Sequence, residues 1–435
     1  LLFDSLRIVS QEENGTRQLK IESNLMQANI SGKFKILELP NAFTFFLAKY
    51  YPAYFKAPKK LSEQNFDFRI QTKEIDDFVQ LFNNKLKGFS YADIKGSVHL
   101  NTYELFMDAN IPSFSEDGKM SANPSFLRKG NRESINAVML LDNIKFKDSL
   151  QFPKSKINVT ASNNISNISL VTSANKTLDS AELNATITHL KEGIEIQFAP
   201  SSFVLNGNKW LLEKDGTISL LPGKVTADKV KFVHDNQNII LYTRLNPQTG
   251  ESELVADLTQ IDIEDFLPIV VSKPELRGKL TGKAVVKNLF TNPVIEFKGN
   301  ADRFQLDDKD VGDVILDVHA NTQTGNIGFK VKTDGDQNAF DINGKYNFKD
   351  TTGTAMDIAV AADRLNLNLI EPYVKTIFSE LNGVATGNIR LYGGKDNMYI
   401  VGPATISNGS ALVVFTQCKY LFNRQKINFG KDLIE

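Results

Sequence analysis

The residue types that usually carry chemistry are few and scattered in this sequence. Its four histidines, His99, His189, His234 and His319, lie far apart, and none has a second ligand at metal-binding spacing. The single cysteine, Cys418, excludes an internal disulfide and any multi-cysteine metal site, and it reads as a small strand residue. No HExxH, GxSxG, Walker or dinucleotide-binding string occurs. Carboxylates are spread rather than paired in a recognisable context, although glycosidase-type pairs can converge from distant strands. The expectation is a chain that is not an enzyme and uses no cofactor or metal. One stretch invites a sharper question: ELNGVATGNIRLYGG, Glu380 to Gly394, is rich in glycine. A phosphate loop would open a helix here, and a helix-dimer seam would need about twenty apolar residues around it. Instead Asn388, Ile389, Arg390, Leu391 and Tyr392 alternate at period two, which is the spacing of a strand.

That alternation recurs almost everywhere. It places Phe34 with Ile36; Phe66 with Phe68 and Ile70; Ile194, Ile196 and Phe198 together; Ile327, Phe329 and Val331 together; Phe340, Ile342, Tyr346 and Phe348 together; and Ile389 with Leu391. Polar or small residues stand between the members of each set, so each strand has one apolar and one polar face. Turn signals such as Asn206-Gly207, Pro222-Gly223, Asp334-Gly335 and Asn408-Gly409 separate the sets. A mainly β, antiparallel meander is predicted. Four stretches look helical instead: Asn41 to Phe55, Ile75 to Leu86, Asp262 to Val271 and Asn368 to Phe378. They are too short to stand alone and must brace the sheet rather than form a helical domain.

The glycine-rich stretch has a counterpart. Glu275 to Lys287, ELRGKLTGKAVVK, lies 105 positions upstream with Glu, Leu, Gly, Thr and Gly in register, and both follow a strand and a helical stretch. A weaker version runs from Ile75 through Gly88 and Gly96. The glycines therefore mark places where a helix hands over to a strand and backbone passes close to backbone. Charge is balanced, 50 Lys+Arg against 51 Asp+Glu, so no nucleic acid partner is expected. Asn-x-Ser/Thr strings at Asn158, Asn164, Asn167 and Asn184 read as products of an Asn-, Ser- and Thr-rich composition. No apolar run reaches membrane-span length, and the chain opens LLFDSLRIV and stops at NFGKDLIE, the pattern expected of an interior piece of a larger protein.

The stretch LNLNLIEPYVKTIFSELNGVATGNIRLYGG from Leu365, followed by GPATISNGSALVVFTQCKYLFNRQKINF from Gly402, resembles the TamB family (translocation and assembly module), and in particular its Bacteroidota members. FTNPVIEFKG from Phe290 and SFVLNGNKWL from Ser202 are similar to strand motifs of the same family. The resemblance is strongest from Ala181 onward. It implies a long U-shaped antiparallel sheet, a β-taco with apolar interior and polar exterior, in the AsmA-like bridge-type lipid transfer superfamily. Segment 1–180 would carry two helical insertions, and segment 181–435 the 105-residue repeats, within one continuous groove. The implied place is the periplasm of a diderm bacterium, with an inner-membrane anchor helix before the segment and an Omp85-type outer-membrane partner after it. The implied cargo is phospholipid, its acyl chains lying against Phe34, Ile36, Ile194, Ile196, Phe198, Ile327, Phe329, Val331, Phe340, Ile342, Tyr346, Phe348, Ile389 and Leu391. At about 0.8 kcal/mol per methylene, a sixteen-carbon chain would be favoured over water by roughly 10 kcal/mol, and hardly at all over membrane. An alternative role is a scaffold that delivers outer-membrane proteins. A polysaccharide-binding adhesin would call for aromatic platforms, which a single Trp does not supply.

Overall fold

Side chains that alternate in polarity at period two suit a strand with one wet and one dry face, and the chain takes that form through most of its length. The computed structural model describes residues 5–116, 120–146, 150–174, 178–270, 275–289, 292–375, 378–394 and 398–431. It divides into two units, Leu1–Pro222 and Gly223–Glu435. The protein is mainly β, with open antiparallel sheet that does not close into a barrel and a few short helices, as the alternation predicts.

In the first unit the strands Leu6–Glu13, Thr16–Ser23 and Met26–Lys33 run as hairpins, the first turning at Asn14 and Gly15 with φ 51 and 75. Helix α1, Leu39–Tyr50, interrupts them. Proline in its first turn suits a helix start, and Ala42, Phe46 and Tyr50 at four-residue spacing share its buried face. It ends before Pro52, earlier than the expected Phe55. After the strand Asn65–Thr72 comes α2, Asp76–Phe82. Its Asp76 carboxylate accepts from the backbone N–H of Gly88, Phe89 and Ser90 at 2.9, 2.9 and 3.2 Å, tying the helix to the chain that returns to the sheet. The meander then resumes through Asp93–His99, Glu104–Asn110, Met120–Gly130, Ile135–Phe146, Leu150–Ser162, Ile165–Thr172, Leu178–Leu190 and Gly193–Phe198.

The second unit repeats the scheme. Strand Ser252–Asp262 leads into α3, Ile263–Val270, and then into strand Leu276–Lys287. Further along, strand Met356–Asn366 leads into a 3-10 turn, Leu367–Leu369, the single helical turn α4, Glu371–Val374, and strand Phe378–Gly393. The helix expected over Asn368 to Phe378 is thus much shorter, and Phe378 already belongs to the strand. Val271, Phe290, Thr291 and Ile377 lie outside the described residues. The glycines of the two matching stretches sit where the strand register slips: Gly278 at φ 133 and Gly383 at φ 112 mark β-bulges in the strands that follow α3 and α4. A side chain at Gly387, φ 150, would stand 2.3 Å from the Pro403 carbonyl oxygen. The close-backbone role accounts for these residues.

Candidate functional site

Partners in an antiparallel pair point to the same face, so the register assembles faces that no single strand displays. In the first unit one row runs Val98, Leu105, Gly130, Ile135, Ala161, Ser166, Ile187, Ile196. The next row is Gly96, Met107, Arg128, Ala137, Val159, Ile168, Ala185, Phe198, and the one after it is Ala109, Phe126, Met139, Ile157, Leu170, Leu183. A fourth runs Pro124, Leu141, Ser155, Thr172.

Helix α1 covers the first of these rows. Ala42, Phe46 and Tyr50 are 0–1% exposed against Phe66, Val98, Leu105, Ile135 and Ala161, and the rings of Phe43 and Phe66 meet at 6.2 Å. The Tyr50 hydroxyl passes so close over Gly130 that an added Cβ would lie 2.5 Å from it, and donates to the Asn131 carbonyl at 2.6 Å. Burial pushes the Tyr50 phenol up to about 12, so it stays a neutral donor. The third and fourth rows have no such cover. Together with Phe89 and Phe114, whose rings meet edge-on at 5.9 Å, they line an open cavity of about 770 Å³ floored by Met107, Phe126, Met139, Leu141, Ile144, Phe152, Ile157 and Leu170. That volume falls within the range of roughly 300–1,000 Å³ typical of small-molecule sites. The other side of the same strands carries Leu127 and Leu140, 41% and 45% exposed.

Among the described residues of these four rows one is charged. Arg128 holds the second row, between the rows α1 covers and the open floor, with its guanidinium carbon 5.4 Å from the centre of the Phe126 ring. Burial lowers its pKa, and the phenols of Tyr51 and Tyr50 nearby counter that in part. Its Nε is buried without a hydrogen-bond partner. Beyond the helix end, Ser166 Oγ and His189 Nε2 lie 2.9 Å apart, with the Tyr51 hydroxyl 3.3 Å from Ser166 and the rings of Tyr51 and Tyr54 packed edge-on against the imidazole. A hydroxyl beside an imidazole could serve a nucleophile, but Ser166 is 1% exposed and burial lowers the His189 pKa. The pair braces the end of α1.

In the second unit the register gathers Leu316, Val331, Ile342, Val360 and Ile389 in one row. Phe297, Val318, Phe329, Gly344, Ile358 and Leu391 form the next. The Phe329 ring lies over Gly344, where an added Cβ would meet Cζ at 2.2 Å. The 3-10 turn sends Leu367 and Leu369 into the core with Phe340, Leu365, Ala385 and Ile406. The opposite face carries Asp317, Lys330, Asn343, Ala359 and Arg390 in one row and Ile315, Lys332, Asp341, Ala361 and Asn388 in another, around an open concavity of about 750 Å³. Several of its charges are paired: Arg390 Nε with Asp357 at 2.6 Å, Lys332 Nζ with Asp341 at 3.7 Å, and Asp317 with Lys298 Nζ at 3.3 Å. The Arg390 hydrogen bond holds the Asp357 carboxyl below its usual range.

The fourteen residues chosen from alternation are therefore not one site. Ile196 and Phe198 join rows of the first unit, half-buried, with Ile194 in the same phase beside His189. Ile327, Phe329, Val331, Ile342, Ile389 and Leu391 share a face of the second unit. Phe340 belongs to its core, 7% exposed, and Tyr346 and Phe348 are 43% and 50% exposed. Phe34 and Ile36 do not continue a strand, which ends at Lys33. Phe34 is buried under α1 and Ile36 sits in a 3-10 turn, 38% exposed, because the chain turns there into the helix. The residues of the open cavity, and Arg128, were missed. Among the described residues no group of three His, Cys, Asp or Glu could hold a metal ion, and no helix is long and apolar enough to cross a membrane. Comparison of the chain with protein-family models, with curated proteins and with solved structures found no match.

Proposed function

We propose that this protein carries phospholipid acyl chains on the apolar face of its sheet, as a periplasmic bridge of the TamB kind between an inner-membrane anchor and an Omp85-type outer-membrane partner. The observation that supports this is the open apolar cavity of the first unit, floored by six consecutive pairing strands and lined almost wholly by hydrocarbon and aromatic side chains. Such a surface left to water is unfavourable by about 25 cal/mol per Å², and an acyl chain is the occupant that asks for no hydrogen bond in return. A chain is held there about as well as in a membrane, so it enters and leaves without a deep trap. No bond is made or broken, and direction comes from the partners.

A photo-crosslinking side chain tests the reading. Placed at Met139 on the cavity floor it captures phospholipid in cells. Placed at Leu140, an equally apolar but outward residue, it does not. Equal capture at both positions sinks the proposal. The scaffold reading has one observation in its favour: among the described pairings Leu6–Glu13 bonds to Thr16–Ser23 alone, and its Leu6 and Ile8 are 57% and 60% exposed, an edge able to accept a further strand. Capture of nascent outer-membrane protein in place of lipid at Met139 would favour it.

A further inference from the structure

Strand alternation puts Pro124, Phe126 and Arg128 on one face of Met120–Gly130, with Leu127 and Lys129 on the other. An arginine needed only for solubility belongs with Lys129. Arg128 instead stands in the row beside the open apolar floor, its guanidinium laid against Phe126, which lines the cavity. A charge kept for structure on a dry face is normally given partners, as a fully buried one is elsewhere in this protein. Glu253, 2% exposed, accepts from Arg244 Nε at 3.0 Å and Asn246 Nδ2 at 2.6 Å and has Lys287 Nζ at 3.7 Å. Arg128 has no such provision: among the described residues it makes no ion pair, its Nε is buried with no acceptor, and its polar neighbours are the Tyr51 and Tyr50 phenols rather than carboxylates. A planar fork of donors laid on the ring of Phe126 at the border of an apolar cavity, with no acceptor supplied by the described residues, matches a ligand that brings its own acceptor at the end of a hydrocarbon chain.

We propose that Arg128 is a head-group anchor, binding the phosphate oxygens of a phospholipid whose acyl chain lies over Phe126 and Met139. The proposal rests on the acyl-chain reading of the same cavity and adds a fixed station to it: the head group docks at the boundary with α1, and the chain runs away from the helix along the uncovered rows. The first unit then selects for an anionic oxygen as well as for hydrocarbon.

The test titrates the purified, delipidated chain with dodecyl phosphate, with dodecan-1-ol and with inorganic phosphate, all below micelle-forming concentrations. Dodecyl phosphate should bind the native protein at least about tenfold more tightly than dodecanol, the ratio a charge-assisted hydrogen bond supports. In Arg128→Met the ratio should fall to about one while dodecanol binding stays as it was, which also reports an intact cavity. Equal affinity of the two chains for the native protein overturns the anchor without needing any variant. So does an unchanged ratio in Arg128→Met. Inorganic phosphate binding as tightly as dodecyl phosphate would make Arg128 a site for a free anion and likewise overturn it. Failure of both chain-bearing probes to bind would sink the acyl-chain reading itself.

Discussion

The two units build their sheets from the same alternation and leave opposite faces open. In Leu1–Pro222 the described cavity lies on the apolar face, because α1 covers only the rows through Leu105 and Ile135 and stops short of Phe126, Met139 and Ile157. In Gly223–Glu435 the described concavity lies on the charged face, while Leu367 and Leu369 fill in among Phe340 and Leu365 on the other. Periodicity makes a dry face; the insertions decide how much of it is left uncovered. Buried Glu253 and half-buried Arg128 differ in the same way. Glu253 is held below its ordinary pKa although burial pushes it up, because the Asn246 amide, Arg244 and Lys287 outweigh that push. Arg128 has no compensating group of this kind.

The largest effect should come from exchanging the character of the open faces. Met139→Arg sets a charge on the dry floor at a cost of several kcal/mol if it stays desolvated, and should cut co-purifying phospholipid at least about tenfold. Asn343→Arg, on the wet concavity of the other unit, should leave it unchanged. Mass spectrometry of washed protein reads both, and equal losses would erase the distinction between the units. A smaller effect separates Glu253 from Arg128. Glu253→Gln should lower stability by about 1–3 kcal/mol, because it weakens the hydrogen bonds and leaves Lys287 and Arg244 with less counter-charge. Arg128→Met should be neutral or raise the melting temperature; a loss as large as that of Glu253→Gln would mean Arg128 is a structural residue.

The smallest effect concerns α1, the cover itself. Glu38 at its start accepts from Ser62 N at 2.9 Å, from the Ser62 hydroxyl and from Gln64 Nε2 at 3.3 Å, and these bonds lower its pKa below the ordinary 4.5. A depressed carboxyl stabilises the fold fully above the unfolded value of 4.5 and loses that contribution as pH falls through its folded value. The melting temperatures of the native protein and Glu38→Gln should therefore differ slightly near neutral pH and converge in acid. A gap that widens in acid would mean that Glu38 does not fasten the helix.

Much of the fold was legible because alternation is a local property. Asn326 to Lys332 reads as a strand from its own residues, and Asn326–Asp334 is one. Helix α1 was visible from its aromatic residues, although its end was placed too late, since Tyr51 to Phe55 continue the aromatic run without the helix. The open cavity was not legible. Met107, Ala109, Ser155 and Thr172 are unremarkable in their own strands, and the residues become a floor only when six strands pair in one register. Arg128 was hidden by the rule that served elsewhere: a charged residue in a strand reads as outward, and its phase with Phe126 is outvoted by its type.

The bulges at Gly278 and Gly383 bear on how such a chain can change length over generations. A single residue gained or lost within a strand would turn every later side chain of that strand to the wrong face, unless a bulge absorbs it. A whole hairpin, or a helix with its flanking strands, can be duplicated without disturbing the phase of anything around it. A protein of this kind should therefore grow by modules and resist creeping by single steps. The recurrence at 105 positions of a strand, a short helix and a bulged strand is the trace that growth by modules would leave.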